Sequence, residues 1–225
     1  MQEKGIVSIL GSNKRANGVD KIMWQSTSDG ALSMKMAYYH NSQSQPILNG
    51  TSSRVEVTWK PPRVGWIKVN TDGATNGSPG QAGGGGIFRD FNGVFIAFFA
   101  SYLEIQDALY AKLYLAMKVI HMAYKRGWWN LWLECDCSLV VDIFNDVSNA
   151  PWKLQNEWLT CKLEISHMNF CISHIYREGN SCDDKLASYG IVSRRNFIWF
   201  NLPIFLSNEY HINRLGLPSC RFHNL

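Results

Sequence analysis

The chain has 225 residues, 46% of them hydrophobic, with 9 Trp, 9 Tyr and 11 Phe, which excludes a disordered chain and allows one well-buried domain plus extra segments. A formal net charge of +4 permits a nucleic-acid partner without requiring one. No run approaches the roughly 20 apolar residues of a membrane span, the opening MQEKGIVSILG is too weakly apolar for a signal peptide, and the six cysteines contain no Cys-x-x-Cys pair, so the composition favours reduced thiols in the nucleus or cytoplasm over a structural zinc site.

In chain order, residues 20–40 carry a Ser28–Gly30 turn between two short candidate strands, and the polar stretch 41–53 reads as a linker. From about residue 59 the elements alternate in type. Residues 65–72 alternate as a half-buried strand; Gly73 after Asp72 suggests a sharp turn that leaves the carboxylate at an open sheet edge. Two strands follow, joined across Asp90–Gly93 by an Asn-Gly turn. Asp107 is placed to cap a helix that runs to about Arg126 and closes at Gly127. A strand at 129–135, helices at 138–147 and 154–167, a strand at 169–176 and a short helix at 181–189 complete the pattern. This predicts an α/β domain: a five-stranded mixed sheet with helices packed on both faces.

Three carboxylates sit at segment ends: Asp72, Asp136 after the fourth strand, and Asp184 at the start of the last helix. Hard divalent ions take such oxygen ligands, although each Asp on its own is equally a turn former or helix cap. The run Gly83–Gly86 precedes a strand and lacks Gly-Lys-Ser/Thr, so it is no phosphate loop; it is expected to let backbone approach a sugar-phosphate chain. Trp152, Lys153, Trp158 and Lys162 form either a basic aromatic grip on a duplex or a buried aromatic helix face, and the spacing favours the latter.

The segments WKPPRVGWIKVNTDGA, AGGGGIFRDFNGVF, LWLECDCSLVVDIF and ISHIYREGNSCDDKLA, in this order over residues 59–192, closely resemble the type 1 ribonuclease H-like, reverse-transcriptase-like domain of plant non-LTR retrotransposons. Residues 193–225 resemble the usual C-terminal extension, and residues 1–58 a retroelement-derived N-terminal remnant and linker. The resemblance implies a ribonuclease H-like fold, a nucleic-acid partner (RNA–DNA hybrid or duplex), a monomer, and Mg²⁺- or Mn²⁺-dependent endonucleolytic hydrolysis of the RNA strand. It places metal-binding and catalytic carboxylates at Asp72, Asp136 and Asp184, and an auxiliary proton-transfer or product-release group at His174.

The family's second carboxylate, a Glu in an Ala-Glu-Leu motif, is replaced here in Ala111-Lys112-Leu113. Protonated lysine accepts no hydrogen bond and repels a divalent cation, so the resemblance implies weakened metal binding and impaired or lost cleavage. Asp183 is not expected to compensate, since one helical residue turns about 100° away; Glu134 shares a strand face with Asp136 but lies deeper. Three readings follow: a nucleic-acid-binding domain with impaired cleavage, an active hybrid ribonuclease that tolerates Lys112, and a non-catalytic interaction module or retroelement fossil.

Overall fold

The computed structural model describes residues 54–222; the Ser28–Gly30 turn and the 41–53 linker lie outside them. In chain order the elements are β1 (Arg54–Val57), β2 (Ile67–Gly77), β3 (Gly80–Arg89), β4 (Phe95–Gln106), α1 (Ala108–Lys125), β5 (Asn130–Cys135), α2 (Ser138–Phe144), α3 (Gln155–Ser166), β6 (Asn169–His174), α4 (Ser181–Ser193), β7 (Phe197–Trp199), α5 (Ser207–Arg214) and β8 (Ser219–Phe222). Strands β6-β5-β2-β3-β4-β7 form one mixed sheet, parallel across β2–β5 and β5–β6 and antiparallel elsewhere. β1 and β8 pair as a separate antiparallel ribbon. The mixed α/β sheet with helices on both faces matches the sequence reading, with one strand more: β7, which follows α4, adds to the free edge of β4.

Local chemistry fixes the element ends. Asp107 accepts from the Tyr110 N–H at 2.7 Å and caps α1. Its other end closes with Gly127 in the left-handed region, φ 70°, where the Gly127 N–H reaches the Tyr124 carbonyl and the Trp128 N–H the Ala123 carbonyl, the paired bonds of a Schellman motif. In the β3–β4 turn the Asp90 carboxylate accepts from the Asn92 and Val94 N–H groups, and Gly93 takes a φ of 71°.

Adjacent strand residues feed two cores because successive side chains leave opposite faces. Phe88 and Phe99 pack with Leu113, Val119 and Leu131 beneath α1. Their neighbours Ile87 and Phe98 pack with Leu186, Leu206 and Tyr210 beneath α4 and α5. Trp158 joins the first core against Phe144, with ring centroids 4.9 Å apart. Trp152 is 80% exposed, so the aromatic face expected around α3 is only half buried.

The structure corrects two glycine readings. β2 does not turn at Gly73; it continues to Gly77, with Asp72 opposite Gly85 and Gly73 opposite Gly84. Asp72 is therefore inside a strand. Gly73 is small because α1 lies on it: a Cβ there would stand 2.6 Å from both the Ala111 carbonyl carbon and the Lys112 nitrogen. Nor is the Gly83–Gly86 run an open surface for sugar-phosphate, since all four residues are buried. A Cβ on Gly83 would meet the Ile191 nitrogen at 2.6 Å and one on Gly85 the Leu186 Cβ at 2.4 Å, both on α4. One on Gly84 would meet Leu115 of α1 at 1.6 Å. The run lets a helix settle on each face of the same strand.

Gly85→Ala is therefore expected to push α4 off β3 and destabilise the fold by about 1–3 kcal/mol, the usual cost of overpacking. Urea denaturation measures it; an unchanged midpoint would refute the close seating of α4.

Candidate functional site

The sheet sets two carboxylates side by side. β2 and β5 are parallel neighbours with Thr71 opposite Cys135, so Asp72 and Asp136 leave the pair at one level. Lys112 rides on the first turns of α1, which Gly73 admits directly onto β2. Its Nζ donates to Asp72 Oδ1 and to Asp136 Oδ1, each at 2.6 Å. The three side chains are 19%, 4% and 8% exposed, so the ammonium is shared by two carboxylates largely out of water.

Asp184, the fourth residue of α4, stands beside this triad without joining Lys112. Its Oδ1 accepts from Arg177 Nη2 at 2.6 Å, while its charge still reaches Asp72. His174, at the end of β6, donates from Nε2 to the Asp136 carbonyl at 3.2 Å, and burial lowers its pKa. Asp183 points inward: it is 1% exposed with Oδ1 unpartnered. Burial raises its pKa well above the ordinary aspartate value against the pull of Arg89. Among the described residues, no three His, Cys, Asp or Glu side chains are grouped to hold a metal ion.

Burial pushes the Asp72 carboxyl up, to about 6; Lys112 opposes this and the neighbouring Asp136 charge adds to it. Burial alone would lower Lys112, but Asp72 and Asp136 together raise it above an ordinary lysine. Both partners are thus charged at neutral pH, and the ammonium offsets the repulsion between the two carboxylates.

A buried polar network carries this site from below. Asn70, two residues before Asp72 on the same strand face, uses its whole amide: Oδ1 accepts from Trp59 Nε1 at 2.9 Å and Arg89 Nη1 at 3.1 Å, and Nδ2 donates to Glu134 Oε2 at 3.0 Å and Asn180 Oδ1 at 3.3 Å. Asn180 in turn donates to the Thr71 carbonyl at 3.1 Å, which ties the start of α4 to β2 beside Asp72. Glu134 is committed to Lys68, 2.7 Å away. That lysine is fully buried between the rings of Trp59 and Trp132, and burial depresses its pKa to about 8. Arg89 continues the network to Asn213 of α5 at 3.1 Å.

Sequence reasoning did not single out Asn70, Lys68, Arg89, Asn180 or Arg177. The alternation of residues 67–72 does place Lys68, Asn70 and Asp72 on one face. It does not reveal that Trp59 and α4 cover that face as well.

The geometry has counterparts. Residues 70–190 match the family model described as reverse transcriptase-like. A provisionally named ribonuclease H protein of Arabidopsis thaliana is 31% identical over 192 residues, covering 79% of this chain, which spans 29% of that relative's length. The crystal structure of ribonuclease H1 from Halobacterium salinarum superposes with a TM-score of 0.53 at 19% identity, over 57% of this chain and 98% of that one. LC11-RNase H1, solved in complex with RNA/DNA hybrid, gives 0.52 at 20% identity, over 57% and 98%. The crossed sheet, the paired aspartates at the β2–β5 junction and the matched span lead to one assignment: the chain belongs to the reverse transcriptase-like family, on a ribonuclease H fold.

Proposed function

We propose that this domain binds nucleic acid, RNA–DNA hybrid or a duplex of similar shape, and hydrolyses it slowly or not at all. One observation carries the reading: the Lys112 ammonium lies 2.6 Å from both Asp72 and Asp136. Membership of the family and a structural neighbour solved with RNA/DNA hybrid support the partner.

Divalent ions held by carboxylate oxygens, where they bind, activate water and stabilise the leaving oxygen in phosphodiester hydrolysis. The residues present do not fit Mg²⁺ or Mn²⁺. Oδ1 of Asp72 and of Asp136 is turned to Lys112, a donor-only group that repels a divalent cation, and Oδ1 of Asp184 is turned to Arg177. Lys112 offsets one of the two carboxylate charges but supplies no Lewis acid and no activated water. Burial favours neutral His174, and its Nε2 proton is already directed at the Asp136 carbonyl. What remains is a floor whose negative charge is partly offset by Lys112, on which a sugar-phosphate strand can lie without a metal.

Hybrid binding is expected to weaken steeply with salt, through counterion release, and to be unchanged by chelator. Cleavage with Mg²⁺ or Mn²⁺ is expected to fall at least about 10²–10³ below active relatives, the scale of one lost transition-state contact. Lys112→Glu is expected to recover metal-dependent cleavage, and Asp72→Asn to remove what is recovered. Robust hydrolysis by the unaltered chain, abolished by Asp72→Asn, would defeat the proposal.

The triad also predicts a pH signature. Asp72 has a folded pKa raised to about 6 from an unfolded 3.8, so its contribution is fully present below the unfolded value and is lost as pH rises through the folded one. Removing Lys112 raises that folded pKa further. Lys112→Met is therefore expected to cost about 2–3 kcal/mol near pH 8, somewhat below the loss for breaking a fully buried pair, and markedly less near pH 5. Equal losses at both pH values, measured by urea denaturation, would show that the ammonium does not compensate the carboxylates.

A further inference from the structure

Outside the span matched by the family model, the β1–β8 ribbon is docked on the loop between His174 and Asp184. Val57 of β1 and Ile175 of the loop, each 8% exposed, close around Gly179; a Cβ on that glycine would lie 3.0 Å from Val57 Cγ1 and 2.9 Å from Ile175 Cδ1. On β8, Arg221 pairs with Val55 across the ribbon, and its guanidinium carbon lies 4.5 Å from the centroid of the Tyr176 ring. Tyr176 meets the edge of the His174 ring, with centroids 5.5 Å apart at 87°. His174 holds the Asp136 carbonyl. A chain of contacts thus runs from the C-terminal strand to the carboxylate floor.

The charges on this rim are informative. Arg177 is 72% exposed and already answers Asp184. Arg221 has no carboxylate partner among the described residues; it lies over the face of Tyr176. A guanidinium seated on an aromatic face keeps its in-plane N–H donors directed outward, and that planar fork matches phosphate. Arg221 is also close enough to His174 for its charge to help keep that ring neutral, so it lies beside the site and not on a remote surface.

We propose that Arg221, presented by the C-terminal strand on the Tyr176 platform, is a phosphate contact for a nucleic-acid strand lying across the Asp72–Lys112–Asp136 floor, with Arg177 as its neighbour on the same rim. This rests on the nucleic-acid reading above. It extends the binding surface into a segment that the family match does not include, and it gives the ribbon a task besides closing the domain.

The test is binding of a labelled RNA–DNA hybrid to the full 225-residue chain, read by fluorescence anisotropy from about 50 to 200 mM salt. Arg221→Ala is expected to weaken binding severalfold at the low-salt end and to flatten the log-affinity against log-salt slope by about 0.9, the loss of one phosphate contact. Arg221→Lys keeps the charge and is expected to retain most of the slope, which guards against a variant that merely folds poorly. Arg126→Ala removes an arginine seated on Trp128 beyond the far end of α1 and is expected to leave the slope unchanged. Reduced affinity with an unaltered slope in Arg221→Ala would make Arg221 a structural clip and overturn the proposal. So would unaltered binding, or equal flattening in Arg126→Ala. Failure of the unaltered chain to bind any hybrid or duplex would overturn the function reading itself.

Discussion

The close approach of α1 to β2 at Gly73 is the constraint on which the site depends. A strand and a helix can come that near only where the strand residue has no side chain, and here the space a Cβ would need is filled by the backbone of Ala111 and Lys112. That contact fixes the height of α1 above the sheet, and so decides which residue of the helix reaches Asp72. The glycines of β3 do the same for α4 on one face and α1 on the other. Two helices are thereby gauged against two adjacent strands, and the residues that carry charge are delivered by backbone packing instead of by flexible loops.

Charge follows from that geometry. Asp72 and Asp136 share a low-dielectric pocket in which like charges would repel strongly. A cation must balance them for both to stay ionised, and Lys112 supplies it within the same chain. The resulting floor can form without an ion, but its oxygens are engaged by a donor that does no Lewis-acid chemistry. Under the proposed function, binding and hydrolysis would depend on different features: the first on the arginines of the rim, the second on carboxylate oxygens that a single ammonium engages.

Much of the fold was legible because the signals were local. Asp107, Gly127 and the Asn92-Gly93 turn name their own backbone conformations, and the alternation of strand residues names two faces. What stayed hidden was decided by covering. The polar face of β2 reads as a solvent face, yet Trp59, from a segment before the strand, and Asn213, far beyond it, enclose Asn70 and Arg89. The glycine run reads in sequence as an approach for a sugar-phosphate chain, and the positions of Leu115, Leu186 and Ile191 make it a seat for helices instead. At the candidate site, the motif order proposed Asp72, Asp136 and Asp184, but the partner of Asp184 lies seven residues upstream on a separate 3-10 turn, a relation that no periodicity encodes.

The buried network explains why such distant segments are needed. Burying Lys68 and Arg89 is costly unless their charges find partners; these come from Lys60, Glu134, Asn70 and Asn213, and Arg89 Nε alone of the guanidinium nitrogens is left without one. Asn70 satisfies all four of its bonds only when the Trp59 segment, β3, β5 and the start of α4 are in place together. Because Asn70 and Asp72 share one strand face, the same closure that satisfies the network holds the Asp72 carboxylate level with Asp136. The Trp59 segment before β2 and α5 beyond α4 are therefore part of the physical support of the carboxylate floor.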